Sequence, residues 1–178
     1  GACPSVTSAI AVLTMQESLT ISSLPATVTT CEGGNVVTWS IAATGTGITY
    51  QWRKGGTNIA GVTASSYTLN NVTLADAGVY DVVVTGTCGT LTSNASTLIV
   101  NPAGSWTGVT STDWNTTSNW CGGIPGIATD VFIPASAPNM PNLSGGSGSA
   151  RQITIGAGAT LTVGSGGVLN IYGDLINN

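Results

Sequence analysis

Nowhere along its 178 residues does this chain repeat apolar side chains at the 3.6-residue interval of an amphipathic helix. What recurs is alternation: Val37/Trp39/Ile41, Tyr50/Trp52, Tyr67/Leu69, Tyr80/Val82/Val84 and Leu98/Val100. Alternation sends every second side chain to one face of a strand, so each run can bury one face and wet the other. Thr, Val and Ile dominate, and β-branched residues suit a pleated surface better than a helix. The one helical turn on offer is Leu74–Ala77, stopped by Gly78. The expectation is an all-β protein.

Charge then removes whole classes of function. Only 6% of residues are charged, three Lys+Arg against seven Asp+Glu, and there is no His. The commonest general base and the commonest metal ligand are therefore missing. Arg53, Lys54 and Arg151 are the only cations, which is no basic stripe for nucleic acid. No apolar run approaches the roughly 18 residues that a helical membrane span needs, and Ala9–Leu13 is too short, and lacks the basic flank, for a signal peptide. Gly, Ser and Thr in place of charge fit a secreted protein with a hydroxyl-covered exterior.

Composition changes near Asn101-Pro102-Ala103-Gly104. Before this break the strands have ordinary length; beyond it Gly is dense and the apolar runs shrink. Three segments follow: 1–19, 20–101 and 105–178. In the second, strands are expected near 24–30, 35–42, 48–53, 57–60, 65–70, 78–85 and 91–100. Seven short strands at this spacing predict a two-sheet sandwich, with Trp52 buried between the sheets. Asp76, Gly78 and Tyr80 supply the turn and aromatic of a tyrosine corner. Arg53 and Lys54 are placed, with Gly55 and Gly56, at an exposed turn tip.

The stretch Tyr50-Gln51-Trp52-Arg53-Lys54 followed by Asp76-x-Gly78-x-Tyr80 resembles the immunoglobulin-like (Ig-like) domain. It is most similar to the Ig-like repeats of large secreted bacterial surface proteins. The resemblance implies an inter-sheet bond at positions that here read Ile41 and Val82, so an apolar contact replaces it. Without an Arg in the fifth strand to pair with it, Asp76 is expected to cap backbone amides.

Residues 105–134 hold Trp106, Trp114 and Trp120 within fifteen positions. Such density marks either a compact cap or a platform on which sugar rings stack. Farther on, Ile153, Leu161, Leu169 and Leu175 open short runs spaced 8, 8 and 6, separated by Gly-rich turns. The pattern fits a Gly-rich β-solenoid-like wall or a small meander. With Trp-Thr-Gly, Asp113-Trp114-Asn115, Asn119-Trp120 and Thr129-Asp130-Val131, this region resembles a module of secreted bacterial surface proteins. That resemblance implies the start of a right-handed β-helix capped by its Trp-rich part. Solenoids need covered ends, so the last strand implies further chain or another subunit over it.

Asp113, Asn115, Asn119 and Asp130 are the candidate oxygen ligands for Ca²⁺, though Asx residues equally cap their own turns. Asp113, Asp130 and Asp174 are the carboxylates a glycosidase would recruit, and nothing in the sequence pairs any two. No cofactor and no catalytic residue is expected. Four cysteines, Cys3, Cys31, Cys88 and Cys121, predict two disulfides of undetermined connectivity. Cys31 and Cys88 fall at opposite ends of a regular sandwich, which disfavours their pairing. Residues 1–19 are too apolar for a free tail: a strand of a preceding domain, of this sheet, or donated to a neighbouring subunit.

The functional expectation is a non-catalytic structural or adhesive module of the bacterial cell exterior, a homo-oligomer or head-to-tail polymer joined through residues 1–19. The alternative is a carbohydrate-binding module using Trp106, Trp114 and Trp120, with a glycan as partner. Neither nucleic acid nor membrane insertion is expected.

Overall fold

The structure is a computed structural model describing residues 15–24 and 26–178. Its first unit contains β1 (Thr20–Ile21), β2 (Thr27–Cys31), β3 (Val37–Ser40), β4 (Ala43–Thr44), β5 (Thr49–Lys54), β6 (Thr57–Asn58), β7 (Ser66–Leu69), β8 (Gly78–Gly86), β9 (Gly89–Thr92) and β10 (Ser96–Asn101). One layer pairs β1 with β4 and β3 with β7, all antiparallel. The other runs β2-β10-β8-β5-β6, with β9 beside β8. Within it β2 lies parallel to β10 and the remaining pairs are antiparallel. Neither layer closes on itself. The result is an Ig-like β-sandwich.

The alternating runs explain what lies between the layers. Tyr80, Val82 and Val84 of β8 are buried, as are Leu98 and Val100 of β10. Trp52 is fully buried, and its indole N–H donates to the Ala64 carbonyl at 2.9 Å. A second core ring is Trp39, stacked 4.6 Å from Tyr80 with its N–H donating to the buried Ser96 hydroxyl. Ile41 and Val82 both belong to this apolar cluster. The Tyr80 hydroxyl donates to the Asp76 carbonyl at 2.7 Å and closes the corner. Asp76 in turn accepts from the backbone N–H and the hydroxyl of Thr73, fastening the short 3₁₀ turn Leu74–Asp76.

Three expectations for this unit need correction. The strand foreseen over 91–100 is two strands, because Ser93 and Asn94 interrupt it. The Ser93 hydroxyl accepts from the Val82 N–H, and the Asn94 side chain bonds both the N–H and the carbonyl of Leu24. Side chains thus take over from the ladder at a bend. Arg53 and Lys54 are strand residues, not a turn tip. Arg53 donates twice to Asp81 on neighbouring β8, while Lys54 donates to the Ala75 carbonyl. The tip is Gly55-Gly56 alone, at φ of 54° and 78°, the left-handed values a two-residue hairpin demands. Finally Leu19, assigned to the N-terminal segment, packs against the sandwich core. Residues 1–14 lie outside the described residues, and with them most of the donor-strand expectation.

The second unit is built differently. Its strands are β11 (Asp130–Ile133), β12 (Asn142–Leu143), β13 (Gly146–Ala150), β14 (Gln152–Ile155), β15 (Thr162–Val163), β16 (Gly167–Ile171) and β17 (Leu175–Asn177). Every pairing among them is parallel. They form three sheets: β11-β14-β17, β12-β15 and β13-β16. Asp130 pairs with Gln152 and Ile153 with Leu175, 22 residues on each time; Asn142 pairs with Thr162 and Gly146 with Gly167, 20 and 21 on. Strands adjacent in sequence lie in different sheets, so the meander expectation is overturned. The intervals of 8, 8 and 6 are steps from sheet to sheet. Pairing joins residues 20–22 apart, in the same sheet.

Candidate functional site: the tryptophan cluster and the cleft beside it

Residues 101–106 are pinned at each step. The Glu32 carboxylate accepts from the Ala103 N–H at 2.8 Å, Gly104 donates to the Cys121 carbonyl, and Cys121 donates back to Ser105. Trp106 bridges Trp120 in antiparallel fashion. Gly104 has φ of 83°, and a Cβ there would fall on the Asp130 carbonyl oxygen, so glycine is required. A disulfide between Cys31, the last residue of β2, and Cys121 completes the junction. The segment 101–106, where the composition changes, is thus a bonded joint.

Trp106, Trp114 and Trp120 do come together. Trp120 stands edge-on to both others, with ring centres 4.8 Å from Trp106 and 4.6 Å from Trp114. Trp106 donates to the Asn139 carbonyl and Trp120 to the Trp114 carbonyl. The three rings are 0%, 0% and 4% exposed, packed with Val131, Ile133, Leu143 and Ile153. A sugar-stacking platform needs open ring faces, and these have none. The cluster is the core of the second unit where it meets the sandwich, which corrects the reading of these residues as a ligand surface.

Asn119 is the polar centre that sequence reasoning undervalued. It is fully buried, its carbonyl oxygen accepting from the N–H groups of Thr110 and Ser111 and its amide donating to Ser111 and to the Asp113 carbonyl. All its bonding capacity is engaged locally, which is the condition for burying such a group. Its position, one residue before a buried Trp, was the available signal. Asp113 accepts from the Asn115 N–H and the Thr116 hydroxyl, an Asx turn. Asp130 pairs with Arg151. Of the candidate cation ligands, the side chains of Asp113, Asn119 and Asp130 are thus engaged within the chain, whereas Asn115 is bonded through its backbone N–H. Among the described residues no three His, Cys, Asp or Glu side chains lie close enough to hold a metal ion.

Between the units lies a cleft of about 530 Å³. Thr29, Ile99 and Asn101 of the sandwich form one wall, while Val109, Pro134 and Pro138 form the other. No charged side chain lines it. It offers apolar surface and neutral hydroxyl or amide groups. Among the described residues no helix is long and apolar enough to cross a membrane.

Residues 105–177 are similar to a family described as Domain of unknown function (DUF8693). No curated protein matches the chain. Among solved structures the sandwich is similar to those titled "Crystal structure of Dscam1 isoform 7.44, N-terminal four Ig domains" (24% identity, TM-score 0.41, 47% of this chain and 21% of that one), "Drosophila OTK, extracellular domains 3-5" (21%, 0.42, 47% and 31%) and "Tandem Ig repeats of Dlar" (24%, 0.42, 47% and 48%). The chain spans less than half the length of each. The Ig-like assignment stands on the strand pairing itself.

Proposed function

We propose that this chain is a non-catalytic structural or adhesive module of the bacterial cell exterior, in which an Ig-like sandwich is clamped onto the start of a parallel β-solenoid. The observation that carries the reading is the junction: a disulfide and a line of hydrogen bonds fix the two units together. A rigid joint transmits force and sets spacing, as a load-bearing or display element requires. The recurring parallel register at 20–22 residues supports a coil wound through three faces. The disulfide favours an oxidising exterior compartment.

Assembly runs head to tail through the apolar N-terminal segment, Val6, Ile10, Val12 and Leu13 acting as a strand donated to a neighbouring copy. Electron microscopy with light scattering on the same sample tests this. Removing residues 1–14, and sparing Leu19 because it packs on its own core, should abolish polymers and leave the sandwich folded. Polymers that persist in the truncated chain overturn the donor role. A catalytic rate that survives purification and is lost in Asp130→Asn overturns the non-catalytic reading.

A further inference from the structure

Parallel, in-register stacking keeps inward side chains in rows. One row is Val131, Ile153 and Leu175; others are Leu143 with Val163, Gly148 with Leu169, and Ala150 with Ile171. Exposure changes abruptly along the first two rows and less along the others, where Leu169 and Ile171 are half-buried. Val131 and Ile153 are 2% and 0% exposed but Leu175 is 57%, and Leu143 at 0% gives way to Val163 at 47%. Chemistry is constant along each row, so what changes is cover. At the other end the Trp cluster supplies it; at this end the cross-section of an apolar core faces solvent.

The backbone says the same. β15, β16 and β17 each pair on one side only. All three open edges point the same way along the stack. They are not level, however. β17 already lies on β14, whereas β15 and β16, which precede β17 in sequence, carry nothing above them. The end is a step. A second copy presenting the same rigid end would meet a mismatch of one strand spacing, about 4.8 Å. A chain running on from Asn177 meets none, since β14 reaches β15 through the short connection 156–161 and β17 can reach the open face likewise.

Building on the solenoid reading above, we propose that this end is the docking surface for one further β-coil of polypeptide continuing from β17. Its strands add parallel to β15 and β16. Its apolar residues fall 20–22 positions beyond Val163, Leu169 and Ile171, the intervals at which the existing strands pair. The partner class is thus a segment of 20–22 residues with three inward apolar side chains and Gly-rich turns, not a globular protein.

The test extends the full chain after Asn178 with a copy of residues 157–178. A matched control carries Asp in place of the copied Val163, Leu169 and Ile171. The copied coil should resist proteolysis, lower the binding of a hydrophobic dye and raise Tm by on the order of 5 °C. The Asp control should be clipped back to the parent chain and melt with it. If both extensions are digested alike and neither moves Tm, the proposal falls. It falls equally if sedimentation shows the parent chain pairing through this end and Val163→Lys abolishing that dimer, because a second copy is then the occupant. Either failure leaves the role of residues 1–14 untouched, since that is read from polymers of the truncated chain.

Discussion

Cys31 and Cys121, separated by 90 residues in sequence, are joined in a disulfide that ties the edge strand of the sandwich to the tryptophan-cored unit. Cys121 is 1% exposed, so the bond is embedded in the joint it makes. Neither cysteine belongs to the apolar cluster of the sandwich. Closing so long a loop is worth about 4.6 kcal/mol in the chain-entropy account. Replacing both cysteines by Ser should therefore lower the stability of residues 105–178 by about 2–5 kcal/mol and leave the sandwich core intact. Hydrogen exchange resolved by segment checks this: protection should fall around Trp120 and hold around Trp52.

Alkaline pH should loosen the sandwich through one side chain. Burial, with smaller contributions from Tyr67 and Asp76, pushes the Tyr80 hydroxyl up to about 12. Its proton is also engaged with the Asp76 carbonyl. The folded state thus favours the neutral phenol more than the unfolded chain does. That contribution is complete below the ordinary tyrosine value near 10 and is lost as pH rises through about 12. Tyr80→Phe should cost about 1 kcal/mol at neutral pH and flatten the alkaline decline. Urea midpoints measured from pH 7 to 12 in both proteins decide it; equal slopes would assign the decline to other groups.

At acid pH the sign reverses. Thr73 amide and hydroxyl bonds hold the Asp76 carboxyl below its ordinary range, despite an opposing effect of burial. Stability from this cap is complete above pH 4 or so and is lost as pH falls through the lowered folded value. Asp76→Asn should cost about 1 kcal/mol at pH 7 and progressively less toward pH 2, followed by the same urea midpoints.

The sandwich was largely legible because its information is local. Alternation marks strand faces, and the Asp76-Ala77-Gly78-Val79-Tyr80 corner is contiguous. The junction was not legible. The Cys31–Cys121 pairing depends on how two units sit together, and nothing near either cysteine encodes that. The parallel register escaped for a related reason: the intervals beginning at Ile153 are steps from sheet to sheet, whereas pairing joins residues 20–22 apart. Three aromatic residues amid Asn and Asp fit a buried cap, the reading preferred from sequence, but leave a platform open. Only the local carbonyls of Asn139 and Trp114 show which was built.

The three tryptophans should not be equivalent. Trp106 and Trp120 each donate to a carbonyl, whereas the buried indole N–H of Trp114 has no hydrogen-bond partner. Changing Trp106 or Trp120 to Phe removes the donor to that carbonyl as well as volume. Changing Trp114 to Phe removes volume and an unpaired donor whose burial already costs about 1–3 kcal/mol. Trp114→Phe should therefore be milder than either of the others by about 1–2 kcal/mol. Thermal denaturation of the three single variants gives the order. Acrylamide should leave all three indoles dark to quenching in the parent chain, and glycan titrations should not alter their emission.

Cys88 has no disulfide partner among the described residues and is exposed. Its sulfur lies 3.5 Å from the Gln16 side-chain oxygen. With Cys31 and Cys121 bonded to each other, the cysteine left for it within the chain is Cys3, thirteen residues before Gln16. Extended chain covers at most about 3.6 Å per residue, so thirteen residues span far more than the separation a disulfide requires. Non-reducing peptide mapping of protein made in an oxidising compartment should recover a Cys3–Cys88 peptide pair and no free thiol. A free Cys88 in that sample, alkylated in full before reduction, would show that the N-terminal segment is held by something other than a covalent bond. In a polymer joined through residues 1–14 the same pair forms between neighbouring copies, so reduction should release chains from one another.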